Sequence, residues 1–398
     1  KVSYETLMFF KLIKLIVKIF ISVVVLFSAY IGYLYFQSPT VMSRITSMMM
    51  GEPTGELETV KASDAVFINS GSPKNISDES IEAAIEFSEK MGSHALLIYQ
   101  NDEIILEKYF DDYNAETISD TQSMHKTVLA MMVGIAIDEG IIESVNESAS
   151  KYLIEWRDDS RNQITIKHLL QQSSGLDYPE FSFHPLSEFN QLMLGEDVTK
   201  MTLRQIAYRQ PNEIFEYNGV NPQNLGLLLQ RAYDKRYADL LSEKIWQKVA
   251  QDDASVVLDS DKNQMPRTYC CLNATARDWL RIGTIILNEG KFKDEQIVSK
   301  TWINEMKTPS ITNPNYGYLT WLGTEHQEKR IYNPKSTATG IHGEPFDDKD
   351  IIYLDGFGGQ RVYVIPSKKL VIVRTGAGQM EWDDSVLPNT ISRGIRND

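Results

Sequence analysis

The stretch Gln122-Ser123-Met124-His125-Lys126 sets a hydroxyl and an amine three residues apart at the start of a helical run. A serine hydroxyl is a poor nucleophile until a neighbouring base takes its proton. Side chains at i and i+3 share one face of a helix, so the Lys126 amine can reach the Ser123 oxygen. Desolvated, or set near other cations, such a lysine is neutral at working pH. The Ser123 N–H itself points out of the helix N-terminus, where a developing oxyanion is favoured. Nucleophile, base and one oxyanion donor thus come from a single turn. The same spacing recurs at Ser148 and Lys151, inside the polar connector SVNESASKYL, which no apolar helical face follows. Spacing alone does not choose between the two; the surrounding elements do.

Behind Ser123, the residues Val128, Met131, Met132, Ile135 and Ala136 recur at helical spacing, and Gly140 ends the run. Upstream, Ser77-Asp78-Glu79 opens a helix carrying Ile81, Ala84, Ile85 and Phe87. His94 to Gln100 and Glu103 to Tyr109 read as strands, with Asn101-Asp102 as a hairpin turn. From about Lys151 to Lys248 the chain reads as mostly helical, and Ile164 to Gly175 and Ala276 to Gly290 carry helical periodicity. Ile351 to Leu354, Arg361 to Ile365 and Leu370 to Arg374 read as strands, the last two joined by a turn at Pro366-Ser367-Lys368-Lys369. Strands at both ends with helices between predict an α+β domain whose sheet is completed by the two termini of the domain.

The chain has 398 residues and a net charge of −14. That length suits one large catalytic unit with an inserted subdomain. The acidic balance argues against a nucleic-acid partner, which needs clustered Lys and Arg. The two cysteines, Cys270 and Cys271, are adjacent. Neighbouring cysteines rarely reach disulfide geometry, so they read as small residues at the edge of the core, without a disulfide framework. Ile19 to Phe36 carries no charge, which makes about 27 Å of helix, close to the hydrocarbon thickness of a bilayer. Lys11, Lys14 and Lys18 precede it, and Tyr30, Tyr33 and Tyr35 lie towards its far end. No small-x-small cleavage site follows, which favours a signal anchor over a cleaved signal. Basic residues before the span put the bulk of the chain outside the cytoplasm. Residues 1–36 are thus the basic flank and transmembrane helix. Residues 37–75, with Met48, Met49, Met50, Gly51, Pro53, Gly55, Gly71 and Pro73, read as a tether and irregular lead-in.

The sequence TISDTQSMHKTVLAMMVGIAIDEGIIESVNESASKYLIEW resembles the nucleophile region of the serine β-lactamase and penicillin-binding-protein superfamily. ITIKHLLQQSSGLDY, FEYNGVNPQNLGLLL, CCLNATARDWLRIG, YGYLTWL and DGFGGQRVYVIP continue the resemblance in the family's order. They are most similar to the branch holding class C β-lactamases, β-lactamase-like esterases and 6-aminohexanoate-dimer hydrolase. The resemblance implies a β-lactamase-like antiparallel sheet flanked by helices over residues 76–398, with a mainly helical insertion at about 150–300. It implies Ser123 as nucleophile, Lys126 as base and Tyr217, in Glu216-Tyr217-Asn218-Gly219, as proton relay. The family writes that element Tyr-x-Asn; here Gly219 stands in the third place, so only the tyrosine carries over. The third element, Lys-Thr-Gly or His-x-Gly, is matched by Gly356-Phe357-Gly358-Gly359-Gln360, without its basic residue. Phe357 N–H is the expected second oxyanion donor beside that of Ser123. The missing cation removes a usual contact for a substrate carboxylate.

His125, Asp177, Tyr178, Trp321, His342 and Gly358 are further candidates for lining the substrate pocket, His342 also reading as a solvated loop histidine. The expected reaction is acyl transfer through an acyl-enzyme on a small amide or ester, with no cofactor or metal implied. A peptidoglycan D,D-carboxypeptidase, endopeptidase or β-lactamase is the alternative enzyme. A non-catalytic, membrane-anchored envelope binding protein is the alternative of another class.

Overall fold

The computed structural model describes residues 3–50, 52–63, 68–71, 75–336 and 338–396. The chain divides into two units. One holds residues 1–54 and 182–196; the other holds 55–181 and 197–398.

In the first unit, α1 (Tyr4–Gln37) is capped by Ser3, whose side chain accepts from Thr6 N–H. It is long and apolar enough to cross a membrane. α2 (Pro39–Met50) follows directly. Residues 39–50, expected as part of an irregular tether, are helical instead. Proline at the first helical position lacks only an N–H that would go unpaired anyway. Met42, Arg44 and Met48 to Met50 then favour continuation, since unbranched side chains lose little rotamer freedom in a helix. Gly51 and Pro73 of that reading lie outside the described residues. The short helix Glu188–Leu194 belongs to the same unit. The carbonyls at its end are met by Arg44, which donates to Leu194 O at 2.9 Å and Gly195 O at 2.7 Å.

The second unit is built on a seven-stranded sheet. Its strands run in the order Trp321–Leu322, Ile352–Gly356, Gln360–Ile365, Leu370–Gly376, Ser93–Gln100, Glu103–Tyr109 and Asn69–Ser70. Leu370–Gly376 pairs antiparallel with Ser93–Gln100, so the two ends of the domain do complete one sheet. The hairpin turn at Asn101-Asp102 takes φ +50° and +67°, the left-handed pair a two-residue turn requires. α3 (Asp78–Lys90), capped by Ser77, and the helix Val386–Gly394 cover one face, packing Ile81, Ala84, Leu387 and Ile391 on Leu96, Ile98, Tyr363 and Ile372. The helix Ala276–Leu287 covers the other, where Gly283 lets it settle onto Val362 and Val371. Two covered faces explain why the central strands read as unbroken apolar runs rather than alternating ones.

A second sheet, ordered Leu57–Val60, Ala254–Val257, Leu272–Thr275 and Ile118–Asp120, has no counterpart in the sequence reading. Its strands are three or four residues long, too short to show a period. Between residues 151 and 248 the chain is more broken than its periodicity implies. Ile164 to Gly175 holds only the helix Ile166–Leu170, because Gln172 and Gly175 turn into left-handed backbone. Cys270 and Cys271 are joined by a disulfide, against expectation. In an extended strand their side chains would point to opposite faces. Cys271 instead takes φ +71°, a turn conformation in which the two meet.

Candidate active site

Ser123 sits in a 3-10 turn, Gln122–Met124, that leads into α4 (His125–Asp138). The short strand Ile118–Asp120 delivers the chain to this turn from the second sheet. Two anchors fix the turn. Thr121 Oγ1 donates to Leu272 O at 2.9 Å, and Cys271 N–H donates to Gln122 O at 3.1 Å. Gln122 takes φ +53° and is held there by Asp120, which accepts from its N–H at 3.1 Å and its side-chain amide at 2.6 Å. Non-glycine residues in this region store strain that their surroundings must hold. On the other side, Gly356 at the end of strand Ile352–Gly356 lies against the Thr121 carbonyl, and a Cβ there would come within 2.2 Å of that oxygen. Only glycine allows this approach. Phe357 is the next residue along this strand end, and it is exposed.

Lys126 Nζ donates to Ser123 Oγ at 2.7 Å and also to Tyr269 O. The residue is 3% exposed. Burial lowers the amine to about 7, against a smaller raising pull from the Asp355 carboxylate. The face of Tyr217 lies 4.8 Å from Nζ. Burial, then the nearby Tyr316 and Asp355, push the pKa of the Tyr217 hydroxyl well up, against a smaller lowering pull from Ser123. The structure therefore brings Ser123, Lys126 and Tyr217 into one cluster.

Tyr217 is held on all sides. Its N–H donates to Tyr332 O at 2.9 Å and its carbonyl accepts from Asn333 Nδ2 at 3.2 Å. Its ring meets those of Trp321 at 5.7 Å and Tyr332 at 5.4 Å. The following helix, Val220–Tyr233, is started by Asn218, whose Oδ1 accepts from Val220 N–H and Asn221 N–H. Gln172 braces that loop, bonding Asn218 N–H, Asn218 O and Asn221 Nδ2. Gly219, where the family pattern has Asn, leaves room for the Tyr269 ring.

Beneath the site is a buried ionic cluster. Arg330 and Arg361 both pair with Asp355 and with Asp384. Tyr332 donates to Asp355 at 2.7 Å, and Tyr363 to Asp384 at 3.2 Å. The two guanidiniums hold the Asp384 carboxyl far below the usual range despite its burial. Two cations and two anions cancel, which is what makes the burial of all four sustainable.

The remaining candidates fare differently. His125 is fully buried, its ring nitrogens engaged by Cys270 O at 2.7 Å and Tyr237 Oη at 2.8 Å, so it serves packing rather than the cleft. Trp321 is also buried, as the floor under Tyr217. His342 is neither solvated nor in the cleft: it is buried against Arg330 at 3.2 Å and Asp384 at 3.4 Å. Its loop, polar in composition, is closed over by the ionic cluster, whose members are spread along the sequence. Gly358, at φ +75°, packs on Gly378 and shapes the strand turn. Tyr178 neighbours Tyr269, whose carbonyl accepts from Lys126, and burial raises the Tyr178 hydroxyl. Asp177 accepts from Lys335 at 2.6 Å. Sequence reasoning missed the Tyr269 carbonyl, Gln172, Asn333 and Asp355. Of these only Asp355 leaves a mark, as a carboxylate inside an apolar strand.

The chain matches the Beta-lactamase family model over residues 79–382. It is 23% identical over 229 residues to the 6-aminohexanoate-dimer hydrolase of Paenarthrobacter ureafaciens, a match covering 55% of this chain and 58% of that relative's length. Among solved structures it superposes on a protein of Bacillus anthracis provisionally described as a 6-aminohexanoate-dimer hydrolase, with a TM-score of 0.70 at 19% identity, over 88% of this chain and 92% of that one. A family VIII carboxylesterase gives 0.62 at 15% identity, over 84% and 99%. These similarities establish the fold that the sequence implied, and over most of its length the chain belongs to the β-lactamase family of hydrolases.

Proposed function

We propose that this protein is a serine hydrolase that forms an acyl-enzyme on Ser123 with a small ester or amide, such as a short ω-amino-acid oligomer. The observation that carries the reading is the Lys126 amine, 2.7 Å from Ser123 Oγ and lowered to about 7 by burial. A neutral amine takes the hydroxyl proton as Ser123 attacks the carbonyl. The oxyanion is received by the N–H groups of Ser123 and Phe357. Tyr217, kept protonated by its raised pKa, suits the role of donor to the leaving group. The Lys126 ammonium returns a proton to Tyr217; water then attacks the acyl-enzyme, and its proton passes through Lys126 to Ser123 Oγ as the acyl–serine bond breaks.

The substrate class follows from where the cations are. Arg330 and Arg361 are spent on Asp355 and Asp384. Gln360 exchanges both its amide atoms with the Gly376 backbone. The third element thus offers neither a free guanidinium nor a free amide to a substrate carboxylate, which disfavours β-lactams and D,D-peptides. We place the enzyme outside the cytoplasm, with α1 as its membrane anchor; the length and apolarity of that helix and the lysines in its first half, ahead of the uncharged run, support this.

The test is labelling of the purified protein by a fluorophosphonate and by a fluorescent penicillin. The expected result is labelling by the first alone, lost in Ser123→Ala. Labelling by both would favour the peptidoglycan-directed alternative. Labelling of folded protein by neither would overturn the hydrolase reading in favour of a binding protein.

A further inference from the structure

We infer that residues 182–186 form a second membrane contact, with Phe183 seated in the outer interfacial layer of the lipid bilayer beside α1. The inference rests on the reading of α1 as a membrane anchor.

His184 Nε2 and Tyr30 Oη are 3.1 Å apart. Tyr30 lies six residues before Phe36, the end of the apolar run, and so about 9 Å inside that end. Helix side chains lean towards the helix N-terminus, which carries the Tyr30 hydroxyl further towards the bilayer. A hydrocarbon core spans about 20 helical residues. Counted from Lys11, Lys14 or Lys18 as the inner boundary, the outer boundary falls near residue 31, 34 or 38. In each register His184 sits at or below it.

Phe183 precedes His184 and is 90% exposed. The rest of the segment stays above. Gln191 donates to Ser38 Oγ at 3.1 Å, Arg44 donates to Leu194 and Gly195, and Thr40 donates to Glu196. These contacts place the helix Glu188–Leu194 beside the polar start of α2, beyond the apolar run. The segment therefore passes from the aqueous side to the interface at its own N-terminal end. An aromatic ring at that level gains from the headgroup boundary, as the tyrosines of α1 do.

The experiment uses the full chain reconstituted in phosphatidylcholine vesicles. Two variants are compared with the parent protein by difference tryptophan emission: Phe183→Trp, and Val24→Trp in the middle of α1. Lipids brominated near the headgroup or near the bilayer centre serve as quenchers. The expected result is loss of most Phe183→Trp emission with shallow bromines and much less with deep ones, while Val24→Trp shows the reverse. Quenching of Val24→Trp with none of Phe183→Trp would overturn the inference and leave the anchor standing. Quenching of neither would remove the anchor, and the inference with it. A blue shift of Phe183→Trp that depends on protein concentration and ignores bromines would assign the ring to a second copy of the chain, and would also overturn it.

Discussion

Ser123–Lys126 and Ser148–Lys151 share a spacing and almost nothing else. Ser123 lies within a 3-10 turn and Ser148 caps one. After Ser123 the chain continues into a buried helix, and Lys126 is folded back under Tyr217 with its amine on the serine oxygen. After Ser148 the turn ends in three residues, and Lys151 reaches outward to pair with Glu147 at 2.7 Å. Ser148 Oγ spends itself on the turn, accepting from Ser150 N–H and donating to Asn162 O at 2.6 Å. The electrostatic outcome is opposite: burial drives the Lys126 amine down to about 7, while the Glu147 carboxylate pushes Lys151 up. Spacing brings an amine within reach of a hydroxyl; removal from water decides whether that amine is a base.

The comparison can be broken most directly at the serines. Ser123→Ala is expected to lower ester turnover by about 10⁴-fold or more. Ser148→Ala should leave turnover unchanged and cost about 1 kcal/mol of stability as a lost cap, read by denaturant unfolding. Equal losses at the two sites would erase the distinction. Next, Lys126→Met should reduce turnover by roughly 10²–10⁴-fold, whereas Lys151→Ala should not change it. Lys126→Met should also unfold at a higher temperature than the parent at pH 7. The folded amine titrates near 7, below its ordinary 10.5, so the unfolded chain binds more protons between those values and stability climbs with pH across that window. The methionine variant should show a flatter climb. Tyr217→Phe is expected to cost about 10²-fold in turnover with the fold retained by circular dichroism.

The smallest effect is a shift in a midpoint. The kcat/KM of the parent should rise with pH through about 7 as Lys126 loses its proton. Asp355→Asn removes a charge that favours the ammonium form, so the midpoint should move down. The same change leaves Arg330 and Arg361 short of a partner and should cost about 3–5 kcal/mol of stability. A midpoint that stays put in a folded Asp355→Asn protein would exclude Lys126 as the titrating group.

The long strands, their hairpin and α4 are legible in the sequence because each runs over five or more residues, the strands as apolar runs bounded by turn residues and α4 by its helical spacing. So are Ser123, Lys126 and Tyr217, because the resemblance fixes them in order. What escapes a sequence reading depends on pairings distant along the chain. Arg330 meets Asp355 and Asp384, and Gln172 meets Asn218, only once the chain is folded. His342 misleads for the same reason: its loop looks polar until Arg330 and Asp384 bury it. Tyr269 acts through its carbonyl, which every residue type has, so its identity carries no signal. Cys270 and Cys271 mislead because average strand geometry keeps neighbouring side chains apart, whereas Cys271 is in left-handed backbone.

The closure of the main sheet by its two ends bears on when this protein becomes active. Gly356 must reach the Thr121 carbonyl, and Arg374 must reach Ser93 Oγ, 281 positions away in sequence. Contacts so far apart form late and slowly. A nascent chain that already displays Ser123 and Lys126 lacks the strand bearing Phe357 until Ile352–Gly376 has emerged and paired. The proposed acylating activity should therefore switch on only once that strand has emerged and paired, rather than accumulate along the way.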